Sequence, residues 1–142
     1  MKYLSLFLIL LLPNLAWSAD AVYSTKGIAV NGYDVVAYHT DKKAEKGNAK
    51  HVYNWNDVDW HFSSKENLNL FKSSPARYAP QYGGFCAYAA SKGSLAPTDP
   101  HAWTIYNDKL YLNYSKSVRS TWEKDIDQHI KRADKNWLRL KN

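Results

Sequence analysis

The chain has 142 residues, of which 45% are hydrophobic and 15% aromatic, and its 19 basic and 13 acidic residues give a formal net charge of +6. This length suits one domain with a single core. The mild basic excess lies largely near the C-terminus, where it suits a solvated helix end rather than a nucleic-acid surface. The only cysteine is Cys86, which excludes a disulfide within the chain.

Residues 1–18 have the features of a secretory signal peptide. A positively charged start precedes an apolar run from Leu4 to Leu12, and this run is far shorter than the roughly 20 residues that span a bilayer. Small residues at the −3 and −1 positions favour cleavage before Ala19, with cleavage after Ala21 as the alternative. We therefore expect a periplasmic or secreted protein that is soluble and not transmembrane once the signal is removed.

The segment from Asn31 to Tyr38 is a compact motif near the start of the mature chain. Gly32 permits a turn, and Asp34 is placed to cap the turn that follows. Tyr33 brings a hydroxyl group to a mostly apolar segment. If Tyr33 or Asp34 points toward the cysteine, these residues outline a small polar-lined pocket; the alternative is that the motif serves packing alone.

Two segments, 51–71 and 102–122, match at an offset of 51 residues, which predicts two copies of a hairpin followed by a helix. Asn56-Asp57 falls on Asn107-Asp108, and such pairs tolerate the left-handed conformations of tight turns. Apolar residues alternate with polar ones around each turn, so one face of each hairpin is expected to be buried. Those residues are Val58, Trp60 and Phe62 in the first hairpin, and Trp103, Ile105, Leu110, Leu112 and Tyr114 in the second.

Helices are expected after each hairpin. Ser63 is predicted to cap the first, with Glu66 completing a capping box, and this helix should end near Ser73 before a short helix that opens at Pro75. After Ser115 we predict one continuous helix from apolar residues at three- and four-residue steps: Val118, Trp122, Ile126, Ile130, Ala133 and Trp137. The predicted fold class is α+β, with two hairpin-plus-helix units forming a small antiparallel sheet packed against helices, and a long C-terminal helix.

The segment Tyr82–Tyr88 places Cys86 directly behind the pair Gly83-Gly84. A glycine pair lets the backbone bend sharply and approach a neighbour closely. Asp59 and His61 project from the polar face of the first hairpin, and if the glycine turn covers that face, an imidazole oriented by a carboxylate meets the thiol. Such a pair suits zinc, copper or iron. The alternatives are an inert, buried cysteine and a solvated polar face.

His101 follows Pro100 and could approach the same loop as a third ligand, or it is an ordinary loop histidine. The sequence has no Cys-x-x-Cys, His-x-His or His-Glu-x-x-His motif, so any metal site must be assembled from distant residues. A cysteine nucleophile beside a histidine base, with Asp59 as the third member of a triad, is a further alternative. Nothing in the sequence determines that geometry.

Three segments together resemble the exported, single-domain branch of the YHS domain family: Gly32–Tyr38, Trp60–Asn67 and Tyr78–Tyr88. The Tyr-Gly-Gly-aromatic-Cys element is the most specific part, and the resemblance covers nearly all of residues 19–142. It implies a small α+β domain that binds a metal, since related domains accompany copper-transporting ATPases and subunits of multicomponent monooxygenases. Some members of the exported branch are described as selenoproteins, which hints at redox or soft-metal chemistry.

On this resemblance, His61 and Cys86 carry over as ligands, although the lack of a second cysteine argues against a site built from several sulfurs. We expect an exported, non-enzymatic protein that binds a transition metal or a small ligand near these two residues. His101 is the third expected metal ligand, and the residues expected to contact a ligand are Tyr33, Asp34, Asp59 and Tyr82. The alternatives are a thiol-based redox protein acting through Cys86 and a module that binds another exported protein.

Overall fold

A computed structural model describes residues 19–142; the predicted signal peptide, 1–18, lies outside the described residues. The first part of the described chain contains two very short strands, β1 (Ser24–Thr25) and β2 (Ile28–Ala29), a tight 3-10 turn at Val30–Gly32, and helix α1 (Val35–Thr40). The Asp34 carboxylate accepts hydrogen bonds from the backbone N–H groups of Val36 and Ala37. The predicted cap at Asp34 is therefore confirmed.

The first predicted hairpin is formed by strands β3 (Asn48–Trp55) and β4 (Val58–Phe62), which pair antiparallel. Asn56 and Asp57 both have positive φ at the turn between them. The resulting sheet has the strand order β1-β2-β4-β3, and its β2–β4 pairing is parallel. This sheet is thus not wholly antiparallel. The N-terminal strands join it at the edge of β4 that faces away from β3, and β2 runs parallel to β4.

The predicted second hairpin is also present, as strands β5 (Trp103–Tyr106) and β6 (Lys109–Leu112) joined by a left-handed turn at Asn107 and Asp108. It forms a separate two-stranded sheet. Leu110 and Leu112 are buried as predicted, whereas Tyr114 lies beyond the strand and is 57% exposed. The expectation of a buried Tyr114 was wrong because the strand ends two residues earlier.

Helices follow both hairpins, and the mixed α+β class is as predicted. They are α2 (Lys65–Ser73), α3 (Pro75–Tyr78), α4 (Ala87–Ser91), α5 (Lys116–Glu123) and α6 (Ile126–Leu140). Pro75 opens α3 as expected. The cap of α2 is one residue later than predicted: Ser64 Oγ accepts from the N–H of Asn67. The hydroxyl of Ser63 instead donates to Asp34, a contact 29 residues away that a local pattern cannot reveal.

The final helical segment is divided rather than continuous. Helix α5 begins after Ser115 as predicted, and the Ser115 side chain caps it. The backbone leaves helical geometry at Asp125, which has φ −153° and ψ 59°, and a second helix begins at Ile126. Trp122, on α5, is fully buried against the ring of Tyr111, while α6 packs along α4. The apolar stripe is continuous in sequence, but the helix that carries it is interrupted at Asp125.

Two groups of buried apolar side chains make up the interior. The first cluster lies between the four-stranded sheet and α1–α3, and the second cluster lies around α4, α5 and α6. The first includes Val36, Trp60, Phe62, Phe71 and Leu110; the second includes Tyr82, Ala90, Tyr111, Trp122 and Ala133. Within residues 19–142, no helix combines the length and the apolar character required to cross a membrane.

Candidate functional site

In the Tyr82–Tyr88 segment, close packing leaves room only for glycine at both positions of the pair Gly83-Gly84. Tyr82, Gly83 and Gly84 all have positive φ, which is uncommon for a residue as bulky as tyrosine. A Cβ at Gly83 would collide with the carbonyl oxygen of Ala21, and a Cβ at Gly84 would collide with Cγ1 of Val30. The turn therefore packs against the N-terminal segment and against the turn at Val30–Gly32.

The Cys86 side chain is 1% exposed and acts as the cap of α4. Its sulfur accepts hydrogen bonds from the backbone N–H groups of Tyr114, at 3.3 Å, and Ala89, at 3.5 Å. The thiol donates to Oδ1 of Asn113 at 3.5 Å, and that same oxygen accepts from the N–H of Tyr88. Through these hydrogen bonds the Cys86 side chain holds the start of α4 against the end of the second hairpin.

His61 lies in a different place, on the wall of an open groove of about 540 Å³. Gly32 and Gly47 approach it closely: a Cβ at Gly32 would lie 3.7 Å from Nδ1 of His61, and one at Gly47 would collide with the His61 backbone. The groove is lined by Thr25, Lys26, Ile28, Asn31, Gly32, Tyr33, Lys46 and His61. We call it the His61 groove.

The charges around the His61 groove are all of one sign. Lys26 and Lys46 carry ammonium groups and both are exposed, His61 is half-buried, and none of the lining residues is a carboxylate. Tyr33 adds a phenol, and Asn31 donates from its amide to the carbonyl of Thr98. The groove thus presents hydrogen-bond donors and positive charge to whatever enters it.

The walls of the His61 groove are held by backbone hydrogen bonds. The N–H of Gly47 donates to the carbonyl of Gly32 at 2.8 Å, and the N–H of Asp34 donates to the carbonyl of Glu45 at 2.8 Å. Tyr33 and Lys46 form an isolated antiparallel bridge between these two bonds. Two lining residues that are far apart in sequence are thereby kept in register.

The remaining predicted site residues are distributed over the molecule. His101 is exposed, and its ring meets the Tyr33 ring edge-on at 5.8 Å between centroids. Asp59 accepts from the amide of Asn54 at 2.9 Å. Tyr82 donates its hydroxyl to Asp134 at 2.9 Å, and burial, reinforced by this carboxylate, raises the pKa of Tyr82.

Asp34 is buried and its carboxylate is engaged within the protein. Besides its two bonds to α1, it accepts from the N–H and Oγ of Ser63 and from Nδ2 of Asn67. These five donors leave little capacity for a ligand. Asp34 therefore joins α1 to the start of α2, and we assign it no direct contact with a ligand.

The structure brings Tyr33 and His61 together and places His101 beside Tyr33. It does not join Cys86 to His61: the two share no hydrogen bond and no pocket within residues 19–142. The described part of the chain also has no group of three His, Cys, Asp or Glu side chains arranged to hold a metal. The glycine turn was predicted to cover the face of the first hairpin that carries His61. It packs on Ala21 and Val30 instead.

Sequence reasoning did not identify Lys26 and Lys46 as groove residues. Lys26 reaches His61 because β2 pairs in parallel with β4, and Lys46 reaches it through its bridge to Tyr33. Both pairings join segments that are distant in sequence and separated by turns. The only local signal in the sequence there is Gly27, which marks a turn. In the structure, Lys26 beside it has positive φ.

Searches against family models, curated proteins and solved structures found no match to this chain. The resemblance to the YHS domain family is therefore a prediction from the quoted motifs alone.

Proposed function

We propose that this protein is an exported, non-enzymatic binding protein of the YHS type whose ligand is a small anion held in the His61 groove. The observation that carries the proposal is the lining of the groove, which places Lys26, Lys46 and His61 around one open space without a carboxylate. A carboxylate- or phosphate-bearing ligand would complement this charge. Export rests on the predicted signal peptide.

The same lining favours an anion over a metal ion. A lysine ammonium group has three donors and no lone pair, so at neutral pH it binds anions and repels cations. Two such groups beside a single imidazole would oppose a copper, iron or zinc ion. Among the described residues, the sulfur that was expected to complete a metal site is engaged with Asn113 and Tyr114 instead.

Binding, rather than catalysis, is the activity that the groove supports. Within residues 19–142, no hydrogen bond joins His61 to a hydroxyl group or a carboxylate, so the imidazole lacks the partner that would orient it as a general base. The close packing of Gly47 against the His61 backbone and the bridge between Tyr33 and Lys46 hold the wall in a defined shape. A rigid, preformed groove is the usual form of a small-ligand site.

The proposal is tested by titrating 15N-labelled protein, residues 19–142, with inorganic phosphate and with succinate while amide spectra are recorded. We expect saturable shifts concentrated at Gly32, Gly47 and His61. Lys46→Gln, which removes a positive charge, and His61→Ala, which removes the imidazole donor, should each weaken binding by about tenfold, equivalent to about 1.4 kcal/mol. Lys109→Gln, an exposed lysine on the second hairpin, should bind like the unchanged protein.

Two results would contradict anion binding: an absence of saturable shifts with either probe, or equal losses in Lys46→Gln and Lys109→Gln. Elemental analysis of the native, tag-free protein tests the alternative, which is a metal site. Stoichiometric copper, iron or zinc that disappears in both His61→Ala and Cys86→Ser, with the fold retained, would replace the anion proposal with the metal site predicted from the sequence.

A further inference from the structure

A second cavity, of about 180 Å³, lies where the two hydrophobic clusters meet. Its walls include four aromatic side chains, and we call it the aromatic pocket: Trp55, Trp60, Tyr82 and Trp137. Trp55 and Trp60 pack in the first cluster, while Tyr82 and Trp137 pack in the second. The rings of the two clusters therefore face a common space that no side chain of the described residues fills.

The rings of the aromatic pocket are arranged as two inclined pairs. The Trp55 and Trp60 centroids are 5.8 Å apart with an interplanar angle of 56°, and the Tyr82 and Trp137 centroids are 6.1 Å apart at 67°. The space that these rings line is partly open to solvent, so a small ligand can enter it from the surface.

Two of these aromatic side chains already use their polar groups in hydrogen bonds within the protein. Trp60 donates its indole N–H to the carbonyl of Trp55 at 2.9 Å, and Tyr82 donates its hydroxyl to Asp134 at 2.9 Å. Trp60 and Tyr82 are only 1% and 4% exposed, so the half-buried rings of Trp55 and Trp137 supply most of the aromatic surface that a ligand can reach. The negative faces of aromatic rings, tryptophan above all, attract cations.

Asp20 is the one charged residue that lines the aromatic pocket, and the remaining polar lining residues are the amides Asn56 and Gln81. The Asp20 carboxylate is half-exposed and pairs with Lys141 at 3.5 Å. A surface ion pair of this kind is weak, so a ligand cation that enters the pocket can take the place of Lys141 beside the carboxylate. The charge of the pocket is thus opposite to that of the His61 groove.

Backbone strain is concentrated at the wall that Tyr82 provides. Tyr82 has φ 57° and ψ 35°, a conformation that costs a non-glycine residue about 1–2 kcal/mol and that recurs at binding sites. The N–H of Tyr23 donates to the carbonyl of Gly83 at 2.9 Å, which holds the strained turn against the N-terminal segment. The surrounding fold, rather than the conformational preference of tyrosine, therefore holds the Tyr82 ring at the pocket.

From these observations we propose that the aromatic pocket binds a small organic cation, a quaternary ammonium compound or a protonated amine, with the rings of Trp55 and Trp137 against the cation and Asp20 as its counter-charge. This site is separate from the His61 groove and does not depend on the proposed anion binding. The ligand class follows from the accessible tryptophan surface, the Asp20 carboxylate as the charged group among the described lining residues, and a volume that admits only a small molecule.

The test titrates the described chain, residues 19–142, with choline and with its neutral isostere 3,3-dimethylbutan-1-ol while tryptophan emission and amide spectra are followed. Choline should bind saturably and at least about tenfold more tightly than the isostere, since only the positive charge distinguishes the two. Asp20→Asn and Trp137→Phe should each weaken choline binding about fivefold or more. Trp103→Phe is the matched control, because Trp103 packs on Tyr38 and does not line the pocket.

Asp20→Asn keeps the proposal testable if Trp137→Phe impairs folding, since Asp20 is at the surface and outside both clusters. Equal affinity for choline and the isostere would overturn the cation proposal, as would an equal loss of binding in Trp137→Phe and Trp103→Phe. Saturable binding of glucose without binding of choline would also overturn it and would indicate a carbohydrate site. Shifts that appear at Gly32 and Gly47 rather than at Tyr82 and Gly83 would place the cation elsewhere and refute the assignment.

Discussion

His39 is the residue whose surroundings most clearly couple stability to pH. It lies on α1 with its ring edge-on to Tyr78, at 5.4 Å between centroids, and its Nε2 atom is buried without a hydrogen-bond partner among the described residues. Burial lowers the pKa of His39, and the charges of Lys42 and Arg77 lower it further, against the opposing effects of a backbone hydrogen bond with Tyr78 and of the Asp108 charge. The folded state therefore favours neutral His39.

This predicts that the protein loses stability in mild acid. An unfolded histidine titrates near pH 6.5, so below that pH the unfolded state binds a proton that the folded state resists, and the free energy of unfolding falls as the pH falls. His39→Phe should flatten the decrease in melting temperature between pH 7 and pH 5. At pH 7 it removes the unpartnered Nε2 atom but also the hydrogen bond with Tyr78, so we expect the free energy of unfolding to change by less than about 1 kcal/mol. Thermal melts across this range measure both effects.

Part of the acid sensitivity should remain in His39→Phe. Burial also lowers the pKa of His129, with the neighbouring Lys92 adding to the effect, and the Nδ1 atom of His129 lies 3.1 Å from Oγ of Ser91. His51→Gln, which leaves both of these histidines in place, is the control. A pH profile changed as much by His51→Gln as by His39→Phe would contradict the assignment.

At the scale of elements, two left-handed turns pack against each other and organise the middle of the molecule. Val30 and Asn31 have positive φ in the first turn, and Tyr82, Gly83 and Gly84 have it in the second. The Val30 side chain occupies the space where a Cβ of Gly84 would lie. Thr98 joins the two turns, since it donates to the carbonyl of Gly84 and accepts from the amide of Asn31 through its own carbonyl.

The contact between these turns predicts different costs for two glycine substitutions that impose the same backbone penalty. Gly27 has φ +78° and open space around it, whereas Gly84 has φ +83° and lies against Val30. Gly27→Ala should therefore cost about 1 kcal/mol, from backbone strain alone, and Gly84→Ala should cost a further 1–3 kcal/mol from overpacking. Urea denaturation measures both free energies of unfolding.

A double-mutant cycle identifies the source of the additional cost. Val30→Ala removes the methyl group that meets Gly84, so the combined Val30→Ala/Gly84→Ala variant should lose less stability than the sum of the single changes. Additive losses, or equal losses in Gly27→Ala and Gly84→Ala, would show that the two turns are not coupled through this contact.

At the scale of the whole molecule, the first described residues connect the two hydrophobic clusters. Val22 and Tyr23 pack against the first cluster. The N–H of Ala21 donates to the carbonyl of Lys141 at 2.9 Å, just beyond the end of α6, and α6 belongs to the second cluster. The N-terminal segment thus joins the opposite ends of the described chain.

This connection makes the two alternative signal-cleavage sites distinguishable. Cleavage before Ala19 keeps the Ala21 hydrogen bond and the Asp20–Lys141 ion pair, whereas cleavage after Ala21 removes both. We expect residues 22–142 to be less stable than residues 19–142 by about 1 kcal/mol, mostly from the hydrogen bond. Chemical denaturation of the two forms measures this, and the mass of the protein recovered from cells identifies the form that they make.

Lys141→Gln in residues 19–142 separates the two contributions, because it removes only the ion pair and should change stability by less than about 0.5 kcal/mol. Equal midpoints for residues 19–142 and 22–142 would contradict the proposed role of the N-terminal segment.

The sequence by itself determined the features that depend on neighbours along the chain. The two Asn-Asp turns, the alternation of Val58, Trp60 and Phe62, the cap at Asp34 and the helix opening at Pro75 all follow from contacts within a few residues. The repeat of hairpin and helix was visible for the same reason. These features were enough to predict an α+β fold, and they identified Tyr33 and His61 as candidates for the site that the structure supports best.

The tertiary structure decided everything that joins distant segments. It placed Lys26 and Lys46 beside His61 through a parallel strand pairing and a bridge, turned the sulfur of Cys86 toward Asn113 and Tyr114, and interrupted the last helix at Asp125. No local pattern carries this information, because a side chain's partners across the fold depend on how whole elements pack, and sequence periodicity specifies only which face of each element is buried.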